Sequence, residues 1–266
     1  MKLGVTYNIF DGEEMLFFSL RNLRPMVQHI NVVYQTTSNF GNENPNLEEK
    51  LRMYERAGLI DFLYKYEPQL QTNEDGSLRW QNGQENETKK RNIGLQICRA
   101  NGCDAMMTLD CDELYDPKEF QFAKDDFELG DYDTSFCKMS TYYKEPIYRL
   151  YPKEEYYAPL FYKIKKDTEF GYVSSDYPVV LDPTRKVKAG YSRVYEREEI
   201  EMHHYAYVRN DIASKVINSS SQSDEVSKQK VIWHYNNFKT IKDSALMIGG
   251  VAHGLIRVEN KFDIQL

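Results

Sequence analysis

No stretch of this sequence comes near the ~18 consecutive apolar residues of a membrane-spanning helix. Its first strand-like segment also lacks the basic start and small-residue cleavage site of a signal peptide, so the protein is expected in the cytoplasm. Excess positive charge is missing too. A formal net charge of −7 over 266 residues excludes the broad basic face of a nucleic-acid binder, though not a local basic pocket. Cysteine is scarce: Cys98, Cys103, Cys111 and Cys137 lie in or beside apolar segments without the CxxC pairs of a zinc site or thioredoxin-type centre, and read as reduced core residues. The glycosylation tripeptides at Asn86 and Asn218 have no consequence without secretion. Neither GxGxxG nor GxxxxGK[ST] occurs, which removes support for dinucleotide oxidoreductases and P-loop proteins.

What is present belongs to an ordinary globular chain, 41% hydrophobic and 28% charged, long enough for one large α/β domain or for a nucleotide-binding half carrying a smaller half. Strand-like and helix-like segments alternate: a strand at Leu3 to Ile9, a helix from about Gly12 to Leu23, a strand at 30–37, a polar-faced helix at 46–57 and a strand at 60–66. After a long polar loop, helical spacing runs from Glu85 to Asn101, with Ile93, Ile97 and Ala100 on one face, and stops at Asn101-Gly102. Ala105 to Leu109 then reads as a short buried strand ending in the acidic run DCDE.

This alternation predicts a mostly parallel central sheet with helices on both faces, and ligands bind such sheets beyond the carboxyl ends of the strands, where the acidic run lies. From Thr134 the composition turns β-rich and aromatic, which predicts an antiparallel extension, then a polar loop at 218–223 and one or two C-terminal helices before Gly249-Gly250. The expected organisation is a nucleotide-binding α/β half over 1–133 and a β-rich half over 134–266, packed as one compact domain. No internal repeat is visible.

Asp110 and Asp112, one residue apart at a strand end, point to the same side if the strand continues through them. Two hard carboxylates can then share Mg²⁺ or Mn²⁺, with water and phosphate oxygens completing the shell. On spacing alone the pair reads equally well as the start of a turn. Lys89, Lys90 and Arg91 form a basic cluster near a helix start, where cations are disfavoured unless an anion is close; Glu85 and Glu87 are local alternatives to a ligand. His203 and His204 open a strand-like stretch about ninety residues further on, and a strand turns only one of the two rings inward. The tyrosines from Tyr142 to Tyr162 suit either sugar stacking or β-face packing, the latter for most of them.

Residues 88–113, TKKRNIGLQICRANGCDAMMTLDCDE, resemble the central signature of family 2 and related glycosyltransferases: a basic RNxG helix start, an alanine and glycine near the helix end, and an apolar strand closing in DxD. Thr6-Tyr7-Asn8 with Asp11-Gly12-Glu13-Glu14 resembles the first strand and helix start of the same enzymes, so the likeness covers about residues 3–115. It implies a GT-A, Rossmann-like fold and a metal-dependent transfer of a sugar from a nucleoside-diphosphate sugar to a hydroxyl acceptor, in bacterial surface glycan assembly. It nominates Thr6, Tyr7, Asn8, Glu14, Glu67, Arg91, Asp110 and Cys111 for the nucleotide sugar, and Asp110, Asp112 and a distal histidine, His204, for Mn²⁺ or Mg²⁺. Lys89 and Lys90 are expected on the surface. An inverting reaction needs a carboxylate to deprotonate the acceptor. Asp176 is the candidate, with Glu113 and Asp116 behind it. Partners are the donor and a saccharide or other hydroxyl acceptor, with peripheral membrane contact open and no nucleic acid. The alternatives are a nucleotidyltransferase, disfavoured by the acidic loop NIFDGEE, and a non-catalytic saccharide-binding protein, disfavoured by retention of both aspartates.

Overall fold

Seven consecutive residues without an exposed position, Leu3–Ile9, form β1, the burial expected of a central parallel strand covered on both faces. Three crossovers follow: α1 (Glu13–Leu23) leads to β2 (His29–Tyr34), α2 (Leu47–Arg56) to β3 (Phe62–Lys65), and α3 (Gln81–Ala100) to β4 (Ala105–Leu109). β2 and then β3 add parallel on one side of β1, whereas β4 pairs parallel on its other side. The strand order therefore reverses between β1 and β4. The crevice beyond their carboxyl ends is the place where an open sheet of this kind binds ligands. The computed structural model describes residues 1–174, 177–219, 225–238, 246–248 and 251–266.

α3 lies tight on β1 because Gly94 has no side chain: a Cβ there would stand 2.0 Å from Cγ2 of Thr6. The glycine of the RNIG stretch thus has a packing reason. The helix ends in a Schellman turn, with Cys103 N–H donating to Cys98 O and Gly102 N–H to Arg99 O, both at 3.0 Å. After β4 come β5 (Glu113–Tyr115) and α4 (Pro117–Leu129), a helix outside the sequence expectation. Asp116 caps it, accepting hydrogen bonds from the N–H groups of Lys118 and Glu119 at 2.8 and 3.2 Å.

The second half supplies β6 (Thr134–Tyr143), β7 (Glu145–Tyr151), β8 (Tyr157–Lys163), β9 (Ser192–Val194), β10 (Glu201–Tyr207), α5 (Ile212–Asn218), α6 (Glu225–Asn236), β11 (Leu246–Ile248) and β12 (Val251–Arg257). β8 pairs antiparallel with both β4 and β6, so the expected antiparallel extension is continuous with the parallel centre. Along the sheet the order is β11-β12-β7-β6-β8-β4-β1-β2-β3. Residue 133 therefore does not divide the sheet. β10 runs antiparallel to β5 and parallel to β6, which sets His204 opposite Glu113.

The main core joins β1, β2 and β4 to the flanking helices through fully buried Val5, Leu16, Leu20, Val32, Met107 and Phe120. Burial of each such side chain stabilises by about 1.5–3 kcal/mol. The four cysteines are buried and free, as the sequence implies.

Candidate active site

β4 closes at Leu109 and the chain turns at once, so Asp110, Cys111 and Asp112 occupy the connection to β5 and not the strand. Strand alternation does not govern them, and the two carboxylates have separate surroundings. Asp110 is 44% exposed, with Oδ2 2.7 Å from the Arg185 guanidinium and Oδ1 3.8 Å from that of Arg91. Asp112 is buried, and its Oδ2 accepts from Arg209 at 2.6 Å and from Lys215 at 3.0 Å. Burial alone would raise the Asp112 carboxyl; Lys215, Arg209 and His204 outweigh it and hold it well below the usual carboxylate range.

The other Asp112 oxygen, Oδ1, has no hydrogen-bond partner among the described residues and lies 3.7 Å from His204 Nε2. Burial pushes the His204 ring down to about 4 against the pull of Asp112, so near neutral pH it is an uncharged imidazole. His203 points elsewhere: its Nδ1 is 2.8 Å from the Tyr142 hydroxyl and its ring meets Phe262 edge-on. Among the described residues no three His, Cys, Asp or Glu side chains converge as a preformed metal cluster. Asp112 Oδ1 and His204 Nε2 nevertheless fit a shared hard cation, because a buried carboxylate oxygen without a partner faces a neutral nitrogen.

Beside this turn a cavity of about 170 Å³ opens at the β1–β4 reversal. Asn8 and Asp11 line it from the end of β1, Gln35 and Asn39 from beyond β2, and Lys90 from α3. The side-chain oxygens of Asn8 and Gln35 have no hydrogen-bond partner among the described residues. Lys90 is only 2% exposed and makes no hydrogen bond or salt bridge among the described residues; burial pushes its ammonium below the ordinary lysine range against the attraction of Glu87. Arg209 and Lys215 complete the wall opposite. Gly12 makes room for Arg209: its φ is 77°, and a Cβ there would stand 2.3 Å from a guanidinium nitrogen. Lys215 and Asn218 both belong to α5, and Asn218 Oδ1 accepts from Asn42 Nδ2 at 2.8 Å, so α5 reaches across to the loop after β2. Three cations thus share one cavity with the carboxylates of Asp11, Glu87, Asp110, Asp112 and Asp182.

A second cavity of about 130 Å³ lies on the other side of Asp110 and Asp182, which line both. Tyr156, Tyr157, Met139 and Met202 give it flat and apolar walls, and His204 opens into it. Asp182 Oδ1 caps the 3₁₀ turn Pro183–Arg185, accepting from the N–H and hydroxyl of Thr184 at 2.8 and 2.9 Å. Its Oδ2 stands 3.7 Å from Arg91 and 3.8 Å from Arg185.

Several residues named from the sequence lie apart from these cavities. Thr6 is buried beneath α3, and Tyr7 is buried with its hydroxyl 2.8 Å from that of Ser19, because β1 turns both into the packed layers. Glu67 is exposed and lines neither cavity, while Glu14 lines a separate acidic cavity of about 430 Å³ next to the first. Arg91 is fully buried and bonded to Thr108, Thr184 and Glu87, so it braces the site from behind while Lys90, expected on the surface, faces the cavity. Asn8, Cys111, Asp110 and Asp112 do line the first cavity, and His204 the second. Glu113 has both oxygens on Arg185, at 2.7 and 3.2 Å; burial pushes its carboxyl up against that pairing. Asp116 caps α4 and pairs with Lys261 at 2.9 Å, and Asp176 lies outside the described residues. Arg209, Lys215, Asp182 and Arg185 were missed, although Arg209 ends the HHYAYVR stretch and Asp182-Pro183 has the look of a cap.

Parallel strands in the order 3-2-1-4, an antiparallel extension beside β4 and an acidic turn at the reversal make this a GT-A fold. S. aureus TarS 1-349 in complex with UDP-GlcNAc superimposes with a TM-score of 0.50 at 13% identity, covering 89% of this chain and 72% of that one. A longer S. aureus TarS structure matches with a TM-score of 0.48 at 13% identity over 89% of this chain, which spans 43% of the TarS chain. GalNAc-T7 with UDP, GalNAc and Mn²⁺ matches with a TM-score of 0.38 at 14% identity, over 53% of this chain and 23% of that one. No protein-family model and no curated protein matches the sequence.

Proposed function

We propose that the protein is a glycosyltransferase that moves a sugar from a nucleoside-diphosphate donor to a hydroxyl acceptor. The reading rests on Lys90, Arg209 and Lys215 meeting the DCD turn in one cavity at the strand-order reversal. A diphosphate supplies the acceptor that the Lys90 ammonium lacks among the described residues, and the amides of Asn8, Gln35 and Asn39 suit the polar edges of the base and ribose. The sugar then lies against Asp110 and Asp182, and the acceptor enters from the side of Tyr156 and Tyr157. Likeness of fold to TarS, solved with UDP-GlcNAc, supports a uridine diphosphate sugar as the first donor to test.

Asp112 Oδ1 and His204 Nε2 are the groups that would hold Mn²⁺ or Mg²⁺, whose charge, when bound, steadies the departing diphosphate. Asp110 is kept ionised and oriented by Arg185 and Arg91, with Glu113 fixing Arg185 in turn. The acceptor proton goes to a carboxylate on the acceptor side. Asp182, exposed at the boundary of both cavities, is better placed for it than Glu113, whose oxygens are taken by Arg185.

The test is turnover beside folding. Asp112→Asn is expected to lower release of uridine diphosphate from a donor panel by at least about 100-fold, the scale of losing one transition-state charge partner, while the protein stays folded by circular dichroism. A variant with full activity would remove Asp112 from the machinery. Wild-type protein that binds a nucleotide sugar yet releases no diphosphate across a broad acceptor panel would make this a binding module.

A further inference from the structure

Asp112 is unevenly used, with two cations on one oxygen and no hydrogen bond on the other among the described residues. Its Oδ2 accepts from Arg209 at 2.6 Å and Lys215 at 3.0 Å, while its free Oδ1 faces His204. Asp11 stands 3.7 Å from Arg209, and Asp110, Glu87 and Asp182 line the same cavity. A divalent cation on Oδ1 would place two more positive charges next to the two cations already on the same carboxylate. That repulsion favours moving one of those cations to another anion.

The two differ in freedom. Arg209 is buried, its Nε bonded to Ala206 O at 3.3 Å and its backbone clasped by the Tyr235 hydroxyl. The Lys215 side chain is 26% exposed, and Asp112 is its only hydrogen-bond partner among the described residues. Lys215 also lines the donor cavity, and the Asn42–Asn218 bond keeps α5 above it.

We infer that Lys215 exchanges partners: it neutralises Asp112 in the donor-free protein and passes to the donor's diphosphate when Asp112 turns to a divalent cation. This rests on the donor site proposed above. Lys215 thus competes with the metal for Asp112 and cooperates with it in holding the donor, two roles of opposite sign in one ammonium. The exchange moves only a half-buried side chain.

The experiment uses the full chain and two probes, Mn²⁺ alone and uridine diphosphate in saturating Mn²⁺, with binding followed by the electron paramagnetic resonance of free Mn²⁺ and by calorimetry. Lys215→Met is expected to bind Mn²⁺ alone about threefold or more tightly, through removal of a like charge, and uridine diphosphate about tenfold more weakly, through loss of a charged contact. Lys215→Arg, which keeps the charge, is expected to stay within about twofold of wild type for both probes. Lys215→Met moving neither affinity, or both in the same direction, overturns the exchange. Wild-type protein that binds Mn²⁺ but no uridine diphosphate overturns the donor site itself and the exchange with it.

Discussion

A lysine only 2% exposed, with no acceptor on its ammonium among the described residues, carries a desolvation cost that the attraction of Glu87 offsets only in part. Lys90→Met keeps most of the volume and removes that cost. Two opposite changes are expected: nucleoside diphosphate binding weaker by about tenfold or more, and a melting temperature higher by roughly 2–4 °C. Calorimetry and a thermal melt check them together, and a variant that loses both affinity and stability would make Lys90 a structural residue. Its direction was not legible in the sequence, because KKR puts three cations on successive helix positions and only the docking of α3 on β1 decides which turns inward. The DCD run was legible as a candidate site, but the separation of its two aspartates was not. That depends on Arg185, Arg209 and Lys215, which lie 73 to 105 residues further along the chain.

Among the elements, β10 delivers His204, and its entrance is fixed by Glu201, which is 5% exposed and bonded to Ser140, Lys153 and Arg197. Burial would raise the Glu201 carboxyl, but Lys153 and Ser140 outweigh it, so its pKa lies below that of the unfolded chain. A carboxyl lowered by folding contributes its stability fully above its unfolded value of ~4.3 and loses it as pH falls through the folded value. Glu201→Gln is therefore expected to cost about 1.5–3 kcal/mol at pH 7 and progressively less below pH ~4. Urea unfolding across that range measures it, and a cost independent of pH would remove the ionic part. α3 shows why an element's extent escapes periodicity. The sequence starts it at Glu85, yet it begins at Gln81, because its first turns bury amides instead of hydrocarbons. Asn82 and Asn86 each bond both ways to backbone groups, of Gln71 and Gln69, and so tie down the polar loop before the helix.

For the molecule as a whole, the alternation of strands and helices up to Leu109 made a mostly parallel centre legible, while its strand order, with β4 on the far side of β1, came only with the structure. One compact domain was expected, but which strands join its halves was not readable, because antiparallel pairing of β8 with β4 depends on which strand edge is open after folding. One shared sheet predicts one cooperative transition: near- and far-ultraviolet circular dichroism of the full chain are expected to melt together, and two separated steps would show the halves to be independent. The same pairing bears on how the chain is made. Residues 1–133 leave the ribosome with Asp11, Glu87, Asp110 and Asp112 gathered at one crevice against Lys90, while Arg185, Arg209 and Lys215 are still unmade. At about 5–20 residues per second the wait is several seconds or more. During it β4 has a bare edge and the crevice is an unbalanced acidic nest, so the nascent protein should hold its first half loosely and close the sheet only when the counter-charges emerge.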